Sequence, residues 1–514
     1  MSYLRSGSPL AIQRRIERKF TVALRARFVP SLLGLLLLFA PASSQADTTH
    51  DVVIVGAGAA GMYAAYTLDN LGFSVLVLEA QDHRGGRIHN SNSIIPGFST
   101  SSTEVCAEWV EGNQNYFFYD DVQANFPGRL IGGGGSRVYE DYNGNEQELH
   151  DYWDFYYHVL EPETHGPNVS YKSDLENHWG ITDTDSEYQL YTRYASGIWM
   201  AELEDLYVRD LAREEELWIY GGGGRVFGES GFLETLDELY FDQIIPLVQL
   251  NSPVTAIDTS GPQPFATAAG ENHYANAIIV TVSVGVLRNN HITFNPPLPA
   301  TKVAALNTLN MTPGSGTAVV MIKWANRNWP NNIRFMNGNG PGNMCWFADF
   351  YKDIPNSQKV TSKCIVGPAV YAEYLEGLTE QQQIDAVAND IIDMFPNLSL
   401  SDVEDAFVAN LGENPYFEGG YSSPGQGSRP DSGPSARQVY AEPVGTSLYF
   451  AGEGTKHDGA GSVSGALDSG LRVALEIDAD HDPVPEPSGS IMLGCGILGL
   501  ILLHARRQHR RCRC

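Results

Sequence analysis

The sequence contains few of the residue patterns that mark a metal centre, a serine hydrolase or a nucleic-acid-binding protein. Its 514 residues include only six cysteines, and 33 lysines and arginines compared with 61 aspartates and glutamates. No Cys-x-x-Cys motif and no pair of histidines has the spacing of metal ligands, and no serine lies in a nucleophile elbow. We therefore predict no metal site, no serine nucleophile and no nucleic-acid partner.

Basic residues are concentrated at the two ends of the chain. Residues 1–46 carry a net charge of +6 and residues 488–514 carry +5, so the formal charge of −28 becomes −39 for residues 47–487. A field of this sign repels nucleic acid and attracts polycations, and it also keeps an exported protein soluble. The charge alone leaves both interpretations open.

Residues 1–46 have the pattern of a signal peptide. They combine basic residues with an apolar run from Phe28 to Ala40 and the small-x-small pattern Ser44-Gln-Ala46. The run is too short to span a membrane comfortably, which disfavours a permanent anchor. The pair Arg14-Arg15 leaves the route open between general secretion and twin-arginine export, and either route predicts an exported protein.

Residues 484–514 contain a second hydrophobic run. Val484-Pro-Glu-Pro487 precedes the run from Ile491 to Leu503, and five arginines follow. This arrangement resembles the PEP-CTERM sorting signal of Gram-negative bacteria, and a plain membrane tail is the alternative. The resemblance implies a protein of the cell surface or extracellular matrix, transiently anchored by its tail, with the export machinery and an exosortase-type processing enzyme as partners.

An apolar strand leads into a glycine-rich turn after the signal peptide. The strand Val52–Val55 is followed by a helix, Ala59–Leu71, and a second strand, Ser74–Leu78, with the turn glycines at Gly56, Gly58 and Gly61. These glycines permit a tight turn and let a pyrophosphate approach the backbone N–H groups at the start of the helix. Glu79 follows where a ribose hydroxyl needs an acceptor. The pattern predicts an α/β, doubly wound domain that binds a dinucleotide.

Four further motifs follow in a fixed order: Arg84-Gly-Gly-Arg87, Cys106-Ala-Glu-Trp-Val-Glu-Gly112, Phe450-Ala-Gly-Glu453 and Gly459-Ala-Gly-Ser-Val-Ser-Gly465. Together with the glycine-rich turn, they resemble the flavin-containing amine oxidases over roughly Asp51 to Ile477. In that family these motifs surround FAD rather than NAD, so the resemblance implies FAD. It assigns to FAD the residues Gly56, Gly58, Ala60, Gly61, Glu79, Ala80, Arg84, Gly86, Arg87, Val254, Gly452, Glu453, Ser462 and Val463.

The resemblance also implies two interleaved, discontinuous domains. The FAD-binding, Rossmann-like domain comprises residues 51–126, 221–295 and 443–478. An α+β substrate domain comprises residues 127–220 and 296–442. The signal peptide and the sorting signal lie outside both.

Three residues of this chain match substrate-side positions of the family. Trp109 and Glu111 resemble the residues that line the flavin pocket and the acidic substrate tunnel of plant-type polyamine oxidases, although Glu111 would also suit a surface turn. Tyr421 matches one of two aromatic rings that sandwich the amine, and the second position falls on Ser462. Gly420 stands where covalent members carry a cysteine, which implies non-covalent FAD.

One residue of the family pattern is absent. Many members place a lysine on a strand, where it holds a water beside the reactive flavin nitrogen, and this position falls on Val319. Thr317 offers a hydroxyl as a substitute. The departure argues against fast amine oxidation but not against flavin binding.

Three cysteines lie outside the C-terminal tail. Cys345 and Cys364 bracket two apolar segments that could pair as a hairpin, which would allow a disulfide in an oxidising compartment. Cys106 stands where family members usually have glycine beside the flavin. It is either a packed apolar residue or a thiol near the ring.

The resemblance therefore implies FAD-dependent oxidation of a polyamine-like amine to an imine and then an aldehyde, with molecular oxygen reduced to hydrogen peroxide. An L-amino-acid oxidase is one alternative. It would need a cation to hold the substrate carboxylate, and no arginine in the matched motifs clearly does so, although Arg137, Arg193 and Arg209 lie in the substrate regions. A matrix-associated protein with a structural or vestigial FAD is another. The absent lysine and Ser462 favour that last alternative, whereas the intact cofactor motifs oppose it.

Overall fold

The structure, a computed structural model, describes residues 49–481 apart from several gaps. The residues outside its description are 1–48, 99–102, 111–116, 133–136, 141–168, 186–187, 189–194, 196, 198, 220–224, 228–229, 312–316, 331–332, 339, 343, 348–359, 457–458 and 482–514. The predicted signal peptide, the predicted sorting signal, Glu111 and Arg193 lie outside the described residues. Within the described residues, no helix has the length and apolar character needed to cross a membrane.

The described strands are numbered in chain order. They are β1 His50–Val55, β2 Val75–Leu78, β3 Leu130–Gly132, β4 Arg137–Glu140, β5 Arg225–Phe227, β6 Val248–Gln249, β7 Val254–Asp258, β8 Phe265–Ala268, β9 Glu271–Val280, β10 Thr293–Asn295, β11 Leu309–Asn310, β12 Ala318–Trp324, β13 Ile333–Asn337, β14 Cys345–Phe347, β15 Thr361–Val366, β16 Val403–Asn410, β17 Ser423–Pro424 and β18 Leu448–Phe450.

The described α-helices are numbered in the same way. They are α1 Ala59–Leu71, α2 Ser91–Ile94, α3 Phe117–Asn125, α4 Tyr171–Asp174, α5 Val208–Ile219, α6 Phe232–Leu236, α7 Val284–Arg288, α8 Ala300–Asn307, α9 Pro368–Tyr374, α10 Glu380–Met394, α11 Ala436–Ala441 and α12 Val463–Asp480. Short 3-10 or π-helical turns occur at Leu175–Trp179, Asp237–Phe241, Asp242–Leu247, Leu400–Asp402 and Glu453–Thr455.

The larger sheet has eight strands in the order β10-β7-β8-β9-β1-β2-β6, and β18 also pairs with β9. Strand β1 runs parallel to both of its neighbours, β2 and β9. Its residues from Val52 to Val55 are all buried, as expected for a continuous apolar run in a parallel sheet covered on both faces. The predicted α/β fold class is confirmed, and the sheet unites residues 50–78, 248–295 and 448–450.

Helices α1 and α12 pack closely against each other beside this sheet. A Cβ atom added at Gly470 of α12 would lie 2.4 Å from the carbonyl oxygen of Ala60 in α1. Only glycine permits this approach, because any side chain would overlap the backbone of the neighbouring helix. The contact fixes the first turn of α1 relative to α12.

The second sheet has six strands in the order β16-β12-β15-β14-β13-β4. One face packs on α10, and its buried residues include Val320, Ile322 and Trp324 of β12 and Ile384, Val387 and Ile391 of α10. The other face buries Val319, Met321 and Phe407 against Phe98 and Val105. This alternation follows from the period of two residues in a strand, and it turns the second face towards the chain segment before Trp109.

Strands β14 and β15 form the antiparallel pair that the sequence allowed. Cys345 and Cys364 lie directly opposite each other with their Cα atoms 4.0 Å apart, and they form a disulfide. The bond lies on the α10 side of the sheet, in the same apolar cluster as Trp324.

Replacing both cysteines, as Cys345→Ala with Cys364→Ala, is expected to lower the free energy of unfolding by about 3 kcal/mol. The disulfide closes a loop across a sequence separation of 19 residues, which restricts the unfolded chain. Denaturant unfolding measures the change, and Cys106→Ala is the control, with an expected loss of about 1 kcal/mol or less. Equal stabilities of the double variant and the wild type would contradict this expectation.

Candidate cofactor site

The glycine-rich turn between β1 and α1 has two crowded glycines and one open glycine. Gly56 has a φ of +106°, and a Cβ at Gly61 would lie 2.0 Å from the Gly56 carbonyl oxygen. A Cβ at Gly58, in contrast, would meet no atom within 4 Å. The turn therefore leaves open space in front of the N-terminus of α1, which is where a diphosphate would bind.

Glu79 closes one edge of this turn. Its buried carboxylate accepts a hydrogen bond from the Ala57 N–H (2.7 Å) and one from the Gln81 N–H (2.9 Å). The Glu79 carbonyl accepts from the Ser252 N–H (2.7 Å), which brings Val254 at the start of β7 to the same edge. Ala80 lines a solvent-open cleft here, together with Asn251 and Tyr416.

The Arg84-Gly-Gly-Arg87 segment lies directly against the glycine-rich turn. The Gly85 N–H donates to the Ala57 carbonyl (2.9 Å), and a Cβ at Gly86 would lie 3.4 Å from the Gly58 Cα. Arg84 forms a bidentate ion pair with Asp237, with distances of 2.5 and 2.6 Å. Its predicted contact with FAD remains a prediction.

Arg87 and Glu453 join three distant pieces of the chain. The Arg87 guanidinium donates to the Gly420 carbonyl (2.6 Å) and to Glu453 Oε1 (3.2 Å). Glu453, only 6% exposed, also accepts from the Ser422 hydroxyl (2.6 Å) and from the Gly461 N–H (3.2 Å). We call these residues the Arg87–Glu453 junction.

Tyr421 lies beside the start of α12 at this junction. A Cβ at Gly461 would be 3.1 Å from a Tyr421 ring carbon, so the ring packs on the glycine backbone. Ser462 caps α12: its hydroxyl accepts from the Gly465 N–H (2.9 Å) and donates to the Gly459 carbonyl (2.7 Å). Val463 begins the helix.

Gly452 fixes the other side of the Arg87–Glu453 junction. Its φ is +131°, a value that favours glycine, and its N–H donates to the Ser469 hydroxyl of α12 (2.8 Å). Ser462 lies eight residues from Gly470, about 12 Å along the helix. The starts of α1 and α12 are therefore separated by a distance that an extended dinucleotide can bridge.

The segment containing Cys106 and Trp109 lies against the second sheet. Both residues retain accessible surface, whereas Glu108 between them is buried and binds Lys363 (3.0 Å) and the Trp346 indole N–H. Burial raises the pKa of the Cys106 thiol to about 11, although Lys363 and Arg87 act in the opposite direction. The thiol is therefore protonated near neutral pH.

Val319, to which the resemblance assigns the position of the family lysine, lies on the face of β12 that packs against Phe98 and Val105. It is 1% exposed and packs with Met321 and Phe407. Thr317, just before the strand, is also buried, and its carbonyl accepts from the N–H groups of Leu411 and Gly412.

Three residues at this site were not predicted from the sequence. Thr281 donates to the Val55 and Gly56 carbonyls and contacts the positions where Gly56 and Gly61 lack side chains. Ser422 binds Glu453, and Lys363 binds Glu108. Thr281 directly follows the apolar run Ala277–Val280 at the end of β9, and this position could have marked it in the sequence. Nothing in the local sequence marks the other two.

The described residues fit FAD both at its adenosine diphosphate portion and at its reactive end. Gly58 leaves space at the start of α1, Glu79 lies at the end of the next strand, and the Arg87–Glu453 junction lies beside the start of α12. No group of three metal-binding side chains is found among the residues that the structure describes.

His89 makes the stability of this region depend on pH. Burial and the neighbouring His83, whose ring centroid is 4.7 Å away, lower the pKa of His89 to about 4 from 6.5. Between these values the unfolded chain binds more protons than the folded chain, so the free energy of unfolding falls as the pH decreases. The expected loss is about 1–3 kcal/mol from about pH 6.5 to about pH 4.

The variant His89→Asn should flatten this dependence, as measured by denaturant unfolding across that pH range. His178→Asn, at an exposed histidine, serves as the control and should keep the wild-type slope. An unchanged slope in His89→Asn would show that another group is responsible.

Two family models match the chain. The model described as "Flavin containing amine oxidoreductase" matches residues 183–478, and the one described as "NAD(P)-binding Rossmann-like domain" matches residues 54–118. The first match covers more than half of the chain, and the second covers the glycine-rich turn and the first helix.

Similar proteins include several oxidases. Polyamine oxidase 4 of Oryza sativa subsp. japonica is 26% identical over 471 residues, which cover 86% of this chain and 91% of the relative. The human lysine-specific histone demethylase 2 is 26% identical over 457 residues, which cover 83% of this chain but only 53% of the demethylase.

Solved structures share the fold at lower identity. Putrescine oxidase bound to putrescine superposes with a TM-score of 0.65 at 18% identity, covering 84% of this chain and 99% of that structure. Cyclohexylamine oxidase from Brevibacterium oxydans superposes with a TM-score of 0.65 at 16% identity, with the same coverage of both chains.

Proposed function

The chain belongs to the flavin-containing amine oxidoreductase family, and we propose that it oxidises a polyamine-like substrate with FAD and molecular oxygen, releasing hydrogen peroxide. The observation that carries this proposal is the Arg87–Glu453 junction, where three distant motifs meet beside Tyr421. The similarity to polyamine oxidases supports the substrate class.

FAD supplies the electron transfer when it is bound, and the protein supplies position and charge. We propose that the backbone at Gly58 binds the diphosphate and that Glu79 accepts from the adenosine ribose. Glu453 and the start of α12 would hold the reactive end. In this arrangement Tyr421 and Trp109 form the walls of the substrate pocket and exclude water from the reacting carbon.

The charge of the chain favours a cationic substrate. Residues 47–487 carry a net charge of −39, and such a field raises the local concentration of polycations. We propose that Glu111 pairs with a substrate ammonium group. A carboxylate in a water-poor tunnel would hold one ammonium while another amine is oxidised.

We also propose that the protein works outside the cytoplasm. Two sequence patterns support this location: the signal-peptide pattern of residues 1–46 and the PEP-CTERM-like pattern of residues 484–514. An exported oxidase needs only oxygen to regenerate its cofactor, whereas a reductase would need a nicotinamide supply. Cell-surface or extracellular-matrix placement therefore agrees with an oxidase.

One set of assays tests the proposed reaction. The full chain, loaded with FAD, is incubated with putrescine, spermidine, spermine, simple monoamines and L-amino acids, and peroxide is measured. Peroxide from the polyamines would support the proposal. Peroxide from L-amino acids alone would indicate an amino-acid oxidase, and no peroxide from any amine would indicate a structural FAD.

The variant Glu111→Gln tests the proposed tunnel. Its KM for spermidine is expected to rise about tenfold, equivalent to about 1.4 kcal/mol, while its KM for a simple monoamine stays near the wild-type value. A monoamine has no second ammonium for Glu111 to hold, so it acts as the internal control. Equal effects on both substrates would contradict the tunnel role.

A further inference from the structure

The core of the second sheet contains a buried ion pair that the proposed reaction does not use. Lys363 is 0% exposed, and its ammonium lies 3.0 Å from Glu108 Oε2. The Trp346 indole N–H donates to the same carboxylate oxygen, and the ammonium lies 4.8 Å from the centroid of the Trp346 ring. Buried charges are costly to desolvate, so a pair in this position needs an explanation.

The register of the sheet determines which way Lys363 points. Lys363 lies directly opposite Met321 of β12 and Trp346 of β14, and directly opposite residues share one face of a sheet. Met321 packs with Val319, Phe98 and Val105. Lys363 therefore points to the side of segment 104–110, away from the disulfide and α10.

The partner of Lys363 lies in the segment that we propose as a wall of the cofactor site. Glu108 is buried between Cys106 and Trp109, which both retain accessible surface. Fixing Glu108 on the sheet therefore also restricts its neighbours Cys106 and Trp109. The Cys106 sulfur is close enough to both Lys363 and Arg87 that each cation lowers its pKa against the larger effect of burial.

We propose that Lys363 is a positioning residue of the FAD site: its ammonium, held by Glu108 and Trp346, fixes the Cys106–Trp109 wall and provides positive charge to the reactive end of the cofactor. This inference rests on the proposed function, because it requires FAD in the site. The lysine acts through the wall and through its field, and it does not contact the substrate.

Sulfite tests this role without any amine. Sulfite binds the oxidised flavin ring as an anion, so its dissociation constant reports the charge and geometry around the ring. In the FAD-loaded full chain, Lys363→Met is expected to weaken sulfite binding about tenfold, because it removes a cation from a region of low dielectric. Lys363→Arg keeps the charge and the hydrogen bond to Glu108, and it should stay within about threefold of the wild type.

A matched control and a double variant complete the test. Lys323 of β12 forms a partly exposed pair with Glu404 at 3.5 Å in the same sheet, and Lys323→Met should leave sulfite binding unchanged. If Lys363→Met leaves Glu108 unpaired and fails to fold, Glu108→Gln with Lys363→Met removes both buried charges. This double variant removes no net charge but also removes the ion pair that fixes the Cys106–Trp109 wall, so it should still bind sulfite more weakly than the wild type.

The inference is overturned if the folded variants without Lys363 bind sulfite as the wild type does, or if Lys363→Arg is no better than Lys363→Met. It is also overturned if Lys323→Met has an equal effect. The proposed function fails separately, when a wild-type protein that holds FAD and binds sulfite oxidises no amine.

Discussion

Replacing Gly58 with alanine is expected to weaken FAD binding strongly while leaving the folded protein intact. The backbone of Gly58 has φ −74° and ψ −179°, which alanine adopts without strain, and the added Cβ would meet no protein atom within 4 Å. The stability of the FAD-free protein should change by about 1 kcal/mol or less. The methyl group would occupy the space proposed for the diphosphate, and crowding of about 1–3 kcal/mol weakens FAD binding about 5- to 150-fold.

Titration of the FAD-free protein with FAD, followed by denaturant unfolding, measures both effects. Gly61→Ala is the matched variant, because its Cβ would lie 2.0 Å from the Gly56 carbonyl oxygen. That variant should lose about 3 kcal/mol or more of stability even without FAD. Gly58→Ala with wild-type FAD affinity would contradict the placement of the diphosphate.

The variant Glu453→Gln is expected to lower the free energy of unfolding by about 2–4 kcal/mol and to release FAD. Donors surround the Glu453 carboxylate on several sides: the Arg87 guanidinium, the Ser422 hydroxyl and the Gly461 N–H. A glutamine must turn its own amide N–H₂ towards one of them. The buried Arg87–Glu453 junction would then lose its charge balance and the segments it joins would separate.

The control for this variant is Glu404→Gln, which removes a carboxylate from the partly exposed pair with Lys323. Its expected cost is about 0.5 kcal/mol, since exposed ion pairs contribute little. Denaturant unfolding and the FAD content of the purified proteins measure both variants. If Glu453→Gln were as stable as Glu404→Gln and kept its FAD, the junction would not hold the site together.

The glycine-rich unit could be predicted because its chemistry is local. The run Val52–Val55, the glycines after it and Glu79 lie within one short stretch. All of them are consistent with the same strand–turn–helix–strand unit. The helix predicted at Ala59–Leu71 has those bounds in the structure. The α/β fold class and FAD as the cofactor follow from the same unit together with the family match.

The interior of the site depends on pairs of residues far apart in sequence, which no local pattern encodes. Glu108 and Lys363 are separated by 255 residues, and Arg87 and Glu453 by 366. The role of Ser462 also required the structure. The sequence alone does not show whether this serine only replaces the second aromatic ring of the family or also caps the helix that follows it. Its hydroxyl is engaged as the cap of α12.

The disulfide could be predicted only in part. The sequence allowed Cys345 and Cys364 to pair but could not set the register of the two strands. A shift of one residue would have turned one sulfur to the opposite face of the sheet. The observed register places both on the α10 side, and it thereby places Trp346 and Lys363 together on the other.

The central claim is that distant segments of this chain bind one FAD without a covalent bond. Its most direct test is to purify the full chain, incubate it with FAD, remove free FAD, denature the protein and measure FAD in the supernatant. The account predicts about one FAD for each chain, released into the supernatant on denaturation. A protein that stays colourless after this incubation would contradict it.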